Sequence, residues 1–591
     1  MKQFFLTMAG VFAGLILFLV GVPFLLLVMA ANSARPEAVP THAVLSLDLR
    51  EPLKDQEPSN PLAAFGRPSL SVMNIISTLR KAETDARVAS LLIRLPEGGI
   101  EPAAADELRL AIKHFQASGK TVLAHSQGLY PSGMITSTYM LGASANSFWM
   151  QPGASFQVTG LANEDIFFKR FFDKYGVTAA YEQRYEYKNA VNGYLFSDYT
   201  AAHKEAELSW LGSVYQGAIG QAATDRKQVA PALTEILEAG PYMAEDALRL
   251  HLVDKIGQVR EAQTFALKAA GADAKLIDFQ DYAQTAPSNE PTTGPIIAVV
   301  EAEGAIVTGQ DGGDNLFSGG STIYSDTISK AIYDAAEKNE VKAIVLRVNS
   351  PGGSDTASEQ ILAAVRAAKA AKKPVVVSMG TYAASGGYWI SSEASAIVAQ
   401  PSTLTGSIGV FGGKFAIGEA LAKFGVDIRQ LGVGGAYAGS FGSGRDFTPA
   451  DRAAFANWMD QIYGNFITRV ATGRHLPEAR VREIAKGRVW TGVQAKDLGL
   501  VDELGGFYQA VDKAKALADI TGDVRLKTMH TQISAFEAIQ RAMGVSASSA
   551  RTLAAAAWVL GDPRAQGVID QMAQGRLRAE GAKVLAPRMV D

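Results

Sequence analysis

The sequence of 591 residues contains no cysteine. That absence excludes disulfide bonds, thiolate nucleophiles and zinc sites with cysteine ligands, and it leaves the redox environment of the protein open. Histidine is scarce, with 7 residues, and the formal net charge is only −3. Because a nucleic-acid-binding surface needs a strong basic excess on one face, this charge balance gives no reason to expect nucleic acid as a partner.

Charged side chains are also absent between Lys2 and Arg35. As a helix, residues 4–31 would reach roughly 42 Å, which is enough to cross the hydrocarbon core of a bilayer with some tilt. We therefore expect a transmembrane anchor over residues 1–35, with its N-terminus in the cytoplasm and the rest of the chain outside. The alternative is a cleaved signal peptide, whose apolar region is shorter at about 7–15 residues. The small alanines before Arg35 keep that alternative open.

The rest of the chain repeats one set of motifs. Gln-Pro pairs begin at Gln151 and Gln400, 249 residues apart, and Leu-Val-Asp triplets end at Asp254 and Asp502, 248 residues apart. Chance similarity would not hold one offset across separated blocks, so we infer a duplication of a long unit, which gives two like domains. In each half, short Val/Ile/Leu runs alternate with helical patterns. This alternation predicts an α/β fold with a largely parallel sheet.

The duplication divides the chain behind the anchor into four segments. We predict an N-terminal α/β copy over residues 40–280, a Pro- and Thr-rich linker over 281–295, a C-terminal α/β copy over 296–530, and an extension of unknown role over 531–591.

A candidate nucleophile lies in the stretch TLTGSIGVFGG, residues 403–413, where Ser407 stands between Gly406 and Ile408. The offset of 249 residues places Val158 opposite Ser407, so only the second copy carries the hydroxyl. Glycines allow a substrate to approach the backbone closely, and free NH groups in such a turn can stabilise an oxyanion. The alternative is an ordinary turn serine.

The residues alone do not identify the base that would activate this serine. No histidine lies in the repeated blocks around Ser407, and Thr405 holds the first glycine place of the G-x-S-x-G motif, so a Ser-His-Asp triad is disfavoured. A lysine base must be neutral near pH 7, which requires apolar surroundings. Two lysines have such neighbours: Lys188 in YEYKNAVNGYLF and Lys414 in FGGKFAIG. Spacing does not choose between them.

The motifs RVNSPGGS, YAASGGYW and TLTGSIGVFG, with the N-terminal apolar stretch and the tandem halves, resemble the signal peptide peptidase A family, the long and duplicated type of protease IV. The resemblance implies two tandem Clp/crotonase-like domains of repeated ββα units, preceded by one transmembrane helix. It also implies a Ser-Lys protease that uses no cofactor or metal. Its nucleophile falls on Ser407, its base on Lys188, and its oxyanion donors on a backbone NH of Gly352 or Gly353 and on that of Ile408.

The same resemblance implies cleaved signal peptides as substrates, a homotetramer, and a bacterial inner membrane location with the catalytic part on the periplasmic side. The segment VNGYLFSDYT, which follows the lysine, departs from the family pattern. Two other functions remain as alternatives. One is a crotonase-like acyl-CoA enzyme, since that fold also hosts thioester chemistry. The other is a non-catalytic scaffold that binds peptides at the membrane.

Overall fold

The computed structural model describes residues 39–56, 70–287, 291–310 and 321–529, and a short strand at 584–585. The predicted anchor over residues 1–35 and almost all of the predicted extension over 531–591 lie outside the described residues. Within the described part of the chain, no helix is long and apolar enough to cross a bilayer.

The first half of the chain forms a parallel sheet. Its strands, in chain order, are β1 (Ala43–Asp48), β2 (Val88–Arg94), β3 (Thr121–Ser126), β4 (Ser147–Met150), β5 (Ser155–Phe156), β6 (Thr178–Arg184), β7 (Tyr242–Met243), β8 (Lys255–Ile256) and β9 (Lys275–Asp278). The parallel sheet has the spatial order β8-β4-β3-β2-β1-β9. Strands β5 and β7 pair separately and antiparallel.

The second half repeats this arrangement. Its strands are β10 (Ile296–Glu303), β11 (Ala305–Val307), β12 (Thr322–Tyr324), β13 (Val341–Ser350), β14 (Gly352–Gly353), β15 (Val375–Ala384), β16 (Ala396–Ala399), β17 (Leu404–Gly406), β18 (Val410–Ala416), β19 (Val489–Thr491), β20 (Glu503–Leu504), β21 (Arg525–Thr528) and β22 (Val584–Leu585). The order β20-β16-β15-β13-β10-β21 matches the first sheet strand for strand, and the antiparallel pair β17–β19 matches β5–β7. The two tandem α/β copies predicted from the repeated motifs are therefore present.

Helices alternate with these strands, as the sequence pattern predicts. In the first half they are Val72–Thr84, Pro102–Ala117, Ile135–Ala143, Lys169–Tyr175, Asn192–Leu195, Ala201–Asp225, Ala230–Glu238, Ala244–Arg249, Val259–Ala270 and Phe279–Thr285, with a 3-10 turn at Asn189–Val191. In the second half they are Ser325–Glu337, Asp355–Ala370, Gly386–Ser391, Gly418–Ala422, Pro449–Arg474, Glu478–Ile484, Gly492–Asp497 and Phe507–Leu517, with a 3-10 turn at Ala436–Gly439. Strand β10 begins at residue 296, where the second copy is expected, whereas helix Phe279–Thr285 covers the first residues of the predicted linker.

The two copies share a hydrophobic core. Leu45 and Ile93 of the first sheet belong to the same buried cluster as Val345 and Val376 of the second sheet and Phe507 of the last helix. Burial of such side chains on both faces of a parallel sheet is the expected source of its stability. The copies are therefore packed against each other as one body, which allows a single site to draw residues from both.

Candidate active site

One sheet of two strands joins the copies directly. β6 of the first copy pairs antiparallel with β18 of the second, in a register that runs from Val410 opposite Arg184 to Ala416 opposite Thr178. Ser407 precedes β18 by three residues, and Lys188 follows β6 by four. Because the strands are antiparallel, these two flanking segments lie at the same end of the ladder, and the two predicted catalytic residues come together there.

Ser407 lies in a strained and fully buried turn. Its φ is +48°, a left-handed value that is uncommon for a residue other than glycine, and it follows Gly406 at +74°. Its backbone NH donates to the carbonyl of Arg488 at 2.7 Å, so the turn is anchored to the segment before β19. Such strain persists only where the surroundings hold it, and it is concentrated at functional sites.

The amine of Lys188 contacts that serine. Its Nζ lies 2.9 Å from Ser407 Oγ, 2.9 Å from the carbonyl oxygen of Ser407 and 2.9 Å from Ser385 Oγ. All three oxygens are neutral, and the side chain of Lys188 is fully buried. Burial therefore lowers the pKa of the Lys188 amine well below its usual value, because the charged form loses its hydration and gains no counter-charge.

Lys414 was the other candidate base from the sequence, and in the structure its amine contacts a different loop. Lys414 Nζ donates to the carbonyl oxygens of Ser440 and Gly442, and it lies 4.6 Å from the centre of the Phe447 ring. Its amine thus fixes the loop after helix Gly418–Ala422. Of the two lysines, the hydrogen bonds place Lys188 alone at Ser407.

Two site residues were missed from the sequence. The first is Ser385, whose Oγ accepts from Lys188 and whose NH donates to the carbonyl of Gly406 at 2.8 Å. Its φ of +57° makes it a second strained serine in the site. The available signal was its place in YAASGGYW, where a buried strand ends in a serine followed by two glycines.

The second missed residue is Gly487. A Cβ added there would fall 2.5 Å from Lys188 Cβ and 2.6 Å from its backbone nitrogen, and the φ of +82° also favours glycine. The NH of Gly487 donates to the carbonyl of Ile408 at 2.9 Å. Gly487 therefore lets the lysine segment and the serine turn approach each other closely. Nothing in the sequence AKGRVW indicates that Gly487 contacts Lys188, because the two residues are brought together only by the fold.

The predicted oxyanion turn lies beside these residues. Gly352 has a φ of +110° and donates its NH to Ser350 Oγ at 3.1 Å. The nitrogen of Gly353 lies 2.9 Å from the point where a Cβ of Gly386 would sit, so the Gly-Gly turn packs on the residue after Ser385. Since the Gly352 NH already has an acceptor, Gly353 is the glycine better suited to donate to a substrate.

The guanidinium of Arg488 links the serine turn to helix Ala201–Asp225. Arg488 pairs with Glu205 through two contacts of 2.5 and 2.7 Å. Its guanidinium also lies 4.9 Å from the ring centre of Tyr187 and 4.3 Å from that of Trp490. The residue whose carbonyl anchors Ser407 is thereby itself fixed to the segment that carries Lys188. A buried serine beside a desolvated amine is an arrangement suited to nucleophilic catalysis.

Known proteins resemble this chain over both copies. A family model described as Peptidase family S49 matches residues 114–273 and 367–521, one region in each copy. The chain belongs to peptidase family S49. This family member is 34% identical to Protease 4 of Salmonella typhi over 83% of this chain and 80% of that protein, and 31% identical to Protease 4 of Haemophilus influenzae over 88% and 86%. It is a serine protease.

Other likenesses cover less or are more distant. The family member is 28% identical to the chloroplastic serine protease SPPA of Arabidopsis thaliana over 81% of this chain and 69% of that protein. Among solved structures, ClpP1 from Listeria monocytogenes matches 35% of this chain and 91% of its own, with 16% identity and a TM-score of 0.22.

Proposed function

We propose that this serine protease is a membrane-anchored endopeptidase in which Ser407 is the nucleophile and Lys188 the general base. The observation that carries the proposal is the distance of 2.9 Å between Lys188 Nζ and Ser407 Oγ, with both side chains fully buried. A base must lie within hydrogen-bond reach of the group whose proton it takes, about 2.6–3.2 Å between heavy atoms, and an amine base must be neutral at the working pH. The depressed pKa of Lys188 meets the second requirement.

The reaction follows from these positions. Neutral Lys188 takes the proton of Ser407 Oγ as that oxygen attacks the peptide carbonyl. The NH groups of Ile408 and of the Gly352–Gly353 turn, with Gly353 the better placed of the two, hold the oxyanion of the tetrahedral intermediate. The ammonium of Lys188 then protonates the departing amine, which leaves an acyl-enzyme on Ser407. Lys188, neutral again, takes a proton from water as the water oxygen attacks the acyl carbonyl carbon. The bond from that carbon to Ser407 Oγ then breaks, and the Lys188 ammonium returns the proton to Ser407 Oγ.

Ser385 acts as a positioning residue in this scheme. Its hydroxyl accepts from the Lys188 amine at 2.9 Å. This contact fixes the rotamer of a long and flexible side chain, which is needed because small misplacements of a catalytic group are costly. It also gives the transient ammonium an acceptor in place of the hydration that burial removes.

An extended peptide is the substrate form that the site accommodates best. The edge of β14 already carries the antiparallel strand β22, through Gly352 opposite Leu585 and Gly353 opposite Val584. The edge therefore accepts an extended segment beside the oxyanion turn, which is the mode of peptide binding by strand addition. A thioester of coenzyme A offers no backbone for such a ladder, so this observation favours the peptidase over the acyl-CoA alternative.

Cleaved signal peptides remain our proposal for the natural substrate. A relative of Enterococcus faecium, 32% identical over 36% of this chain, carries the name Putative signal peptide peptidase SppA. The uncharged stretch before Arg35 would hold the protease at the inner membrane, with its catalytic part in the periplasm, where such peptides are left in the bilayer. A homotetramer belongs to the same proposal.

The test measures hydrolysis of a synthetic signal peptide by the full chain in detergent. Ser407→Ala and Lys188→Met should each lower the rate by at least about 10⁴-fold, as loss of a member of a catalytic unit does. Lys414→Met is the matched control, because it also removes a buried amine but leaves the Ser407 contact intact, and it should keep most of the activity. Labelling of Ser407 by an acylating serine probe, lost in Ser407→Ala, would exclude the non-catalytic scaffold. Wild-type turnover by Lys188→Met would contradict the proposed base.

A further inference from the structure

Three side chains of the first copy converge outside the serine site. Asp165 lies in the segment before helix Lys169–Tyr175, and His203 and Glu207 lie in the first two turns of helix Ala201–Asp225. Residues four apart share one face of a helix, so the imidazole and the Glu207 carboxylate lie side by side. His203 Nε2 lies 3.5 Å from Asp165 Oδ2 and 3.7 Å from Glu207 Oε1. One ligand atom of each residue lies within 4.8 Å of the other two.

A direct hydrogen bond from the imidazole to either carboxylate does not explain these distances. Both exceed the range of about 2.7–3.2 Å for a hydrogen bond between nitrogen and oxygen. They are closer to the spacing of ligand atoms around a metal ion, since tetrahedral bonds of about 2.0–2.1 Å hold neighbouring ligand atoms roughly 3.3–3.4 Å apart. The three atoms therefore have the spacing that a small divalent cation requires.

The imidazole of His203 is an independent sign of a ligand. His203 is 5% exposed, and its Nδ1 has no hydrogen-bond partner among the described residues. The rings of Phe167 and Tyr199 pack around it, with ring centres 6.3 and 4.9 Å from that of the imidazole. Buried polar groups of native proteins have partners as a rule. Here packing fixes the ring, with Nε2 facing the two carboxylates.

Donors behind the carboxylates orient them towards this nitrogen. Trp210 Nε1 donates to Glu207 Oε2 at 2.9 Å, and Asn163 Nδ2 donates to Asp165 Oδ1 at 3.5 Å. Each carboxylate thus has one oxygen held by a donor and the other oxygen facing His203 Nε2. Hydrogen bonds of this outer kind are what orients the ligands of a metal ion.

The second copy lacks this arrangement in the corresponding helix, Pro449–Arg474. The N-caps of the two helices lie 248 positions apart. At that offset Asp451 takes the place of His203, and Phe455 takes the place of Glu207. Asp451 completes a capping box at the start of its helix, and Phe455 is buried in the core. The fold shared by the two copies therefore does not require the imidazole or the carboxylate at these positions.

We propose that Asp165, His203 and Glu207 bind one Zn²⁺ ion, which fastens residues 161–168 to helix Ala201–Asp225. An imidazole and two carboxylates are a ligand set that suits Zn²⁺, and water takes the fourth position. The ion supplies a full counter-charge to Glu207, whose side chain is only 14% exposed. Asp165 is exposed, so the ion enters from solvent.

The ion has a structural role in this proposal. Phe168 NH donates to the carbonyl of Gly193 at 2.6 Å, and Gly193 follows Lys188 by five residues. Fixing Asp165 therefore restrains the segment that borders the arm carrying the lysine. The proposal does not depend on the serine chemistry, and binding of zinc can be measured without any peptide substrate.

Zinc binding by the full chain in detergent tests the proposal, on a Ser407→Ala background that prevents self-digestion. Competition with a zinc-chelating dye should reveal one tight site per chain. Asp165→Asn, His203→Gln and Glu207→Gln should each weaken this site by more than about 100-fold, since loss of an outer hydrogen bond alone typically costs about 10–100-fold. His114→Gln, at an exposed helical histidine, is the matched control and should bind zinc as its parent does.

Thermal unfolding and cobalt substitution show whether the ion occupies this site in the folded chain. Saturating Zn²⁺ should raise the unfolding temperature of the parent, because the ion binds the folded state, and should leave that of Asp165→Asn unchanged. Co²⁺ should give the intense visible absorption of a four-coordinate ion, and Asp165→Asn should lose it. Absence of a tight zinc site, equal zinc affinity in the parent and Asp165→Asn, or tighter binding of Ca²⁺ than of Zn²⁺ overturns the proposal.

Discussion

The two copies share one sheet order, but the turns that follow their central strands β13 and β2 have different hydrogen-bond partners. In the second copy, Gly353 presents its turn to the added strand β22. In the first copy, Gly99 ends the stretch RVASLLIRLPEGG (87–99) as Gly353 ends VKAIVLRVNSPGG (341–353), and its NH donates to the carbonyl of Ser132 at 2.8 Å. The NH of Gly99 is thus already paired within its own copy, and Val158 is buried where the second copy has its serine.

This contrast shows how a duplicated domain can lose one site and improve the other. A lysine base needs complete removal from water, which a domain surface does not provide. Here the first copy supplies Lys188 on an arm after β6, and the contact between the copies buries it. On the proposed mechanism, the first copy therefore provides the base for the serine of the second copy. Substitutions at matched positions of the two copies test that division.

The largest expected effect is on stability, at Arg347. This arginine is fully buried and pairs with Asp55 at 2.6 Å and Glu107 at 3.1 Å, both from the first copy. Its counterpart Arg94 is half-buried and donates to Gln127 at 2.6 Å. Arg347→Leu should lower the free energy of unfolding by about 3–5 kcal/mol, because two carboxylates stay buried without a partner.

Urea denaturation of the full chain in detergent measures this difference, with Arg94→Leu as the matched variant. The loss for Arg94→Leu should stay within about 1 kcal/mol, since a partly exposed polar contact contributes little. Equal losses at the two arginines would show that the buried network does not hold the copies together.

Next is the close approach at Gly487, where the corresponding residue of the first copy is Ala239, 248 positions earlier. Gly487→Ala makes the second copy resemble the first at this point. The added Cβ would overlap Lys188, so the amine moves away from Ser407 and kcat should fall by about 10²-fold. Gly464→Ala, in a helix with nothing within 4 Å of the new Cβ, is the control and should be neutral. Unchanged kcat in Gly487→Ala would mean that the lysine segment tolerates displacement.

A smaller effect is expected at Ser385 of KKPVVVSMGTYAASGGYW (372–389), whose counterpart in the first copy is Ser132 of GKTVLAHSQGLYPSGMIT (119–136). Ser385→Ala removes one acceptor of the Lys188 amine, and kcat should fall roughly 10-fold to 100-fold with KM little changed. Because the ammonium form loses that acceptor, the acid limb of the rate profile should move to lower pH. Ser132→Ala should change neither quantity. A fall in kcat without a shift of the acid limb would point to a purely structural role for Ser385.

Much of this site could be predicted from the sequence, and the remainder depends on pairing between the copies. The repeated offset gave the tandem α/β copies, and glycines around Ser407 marked a candidate nucleophile. The residues alone left Lys188 and Lys414 equal, because apolar neighbours in sequence do not say which amine reaches the serine. The β6–β18 register decides that, and it lies between segments more than two hundred residues apart. The role of Gly487 depends on the same long-range contact.

The last expected effect concerns the cost of burying that amine. In the folded protein the pKa of Lys188 lies well below its usual value of 10.5, because burial disfavours the charged form. Between the folded and unfolded pKa values the unfolded chain binds more protons, so the stability of the wild-type fold rises with pH over that range. Lys188→Met removes this dependence. On a Ser407→Ala background, which prevents self-digestion, the methionine variant should be the more stable protein at pH 7. Its advantage should shrink by about 1.4 kcal/mol for each pH unit towards 10.5.

Urea denaturation at pH 7, 8 and 9 measures this advantage. The matched control is Lys268→Met, at an exposed lysine, whose free energy of unfolding should differ from that of its parent by the same amount at all three pH values. A constant difference for Lys188→Met as well would mean that the amine keeps its proton in the folded state, and the catalytic base would then have to be sought elsewhere.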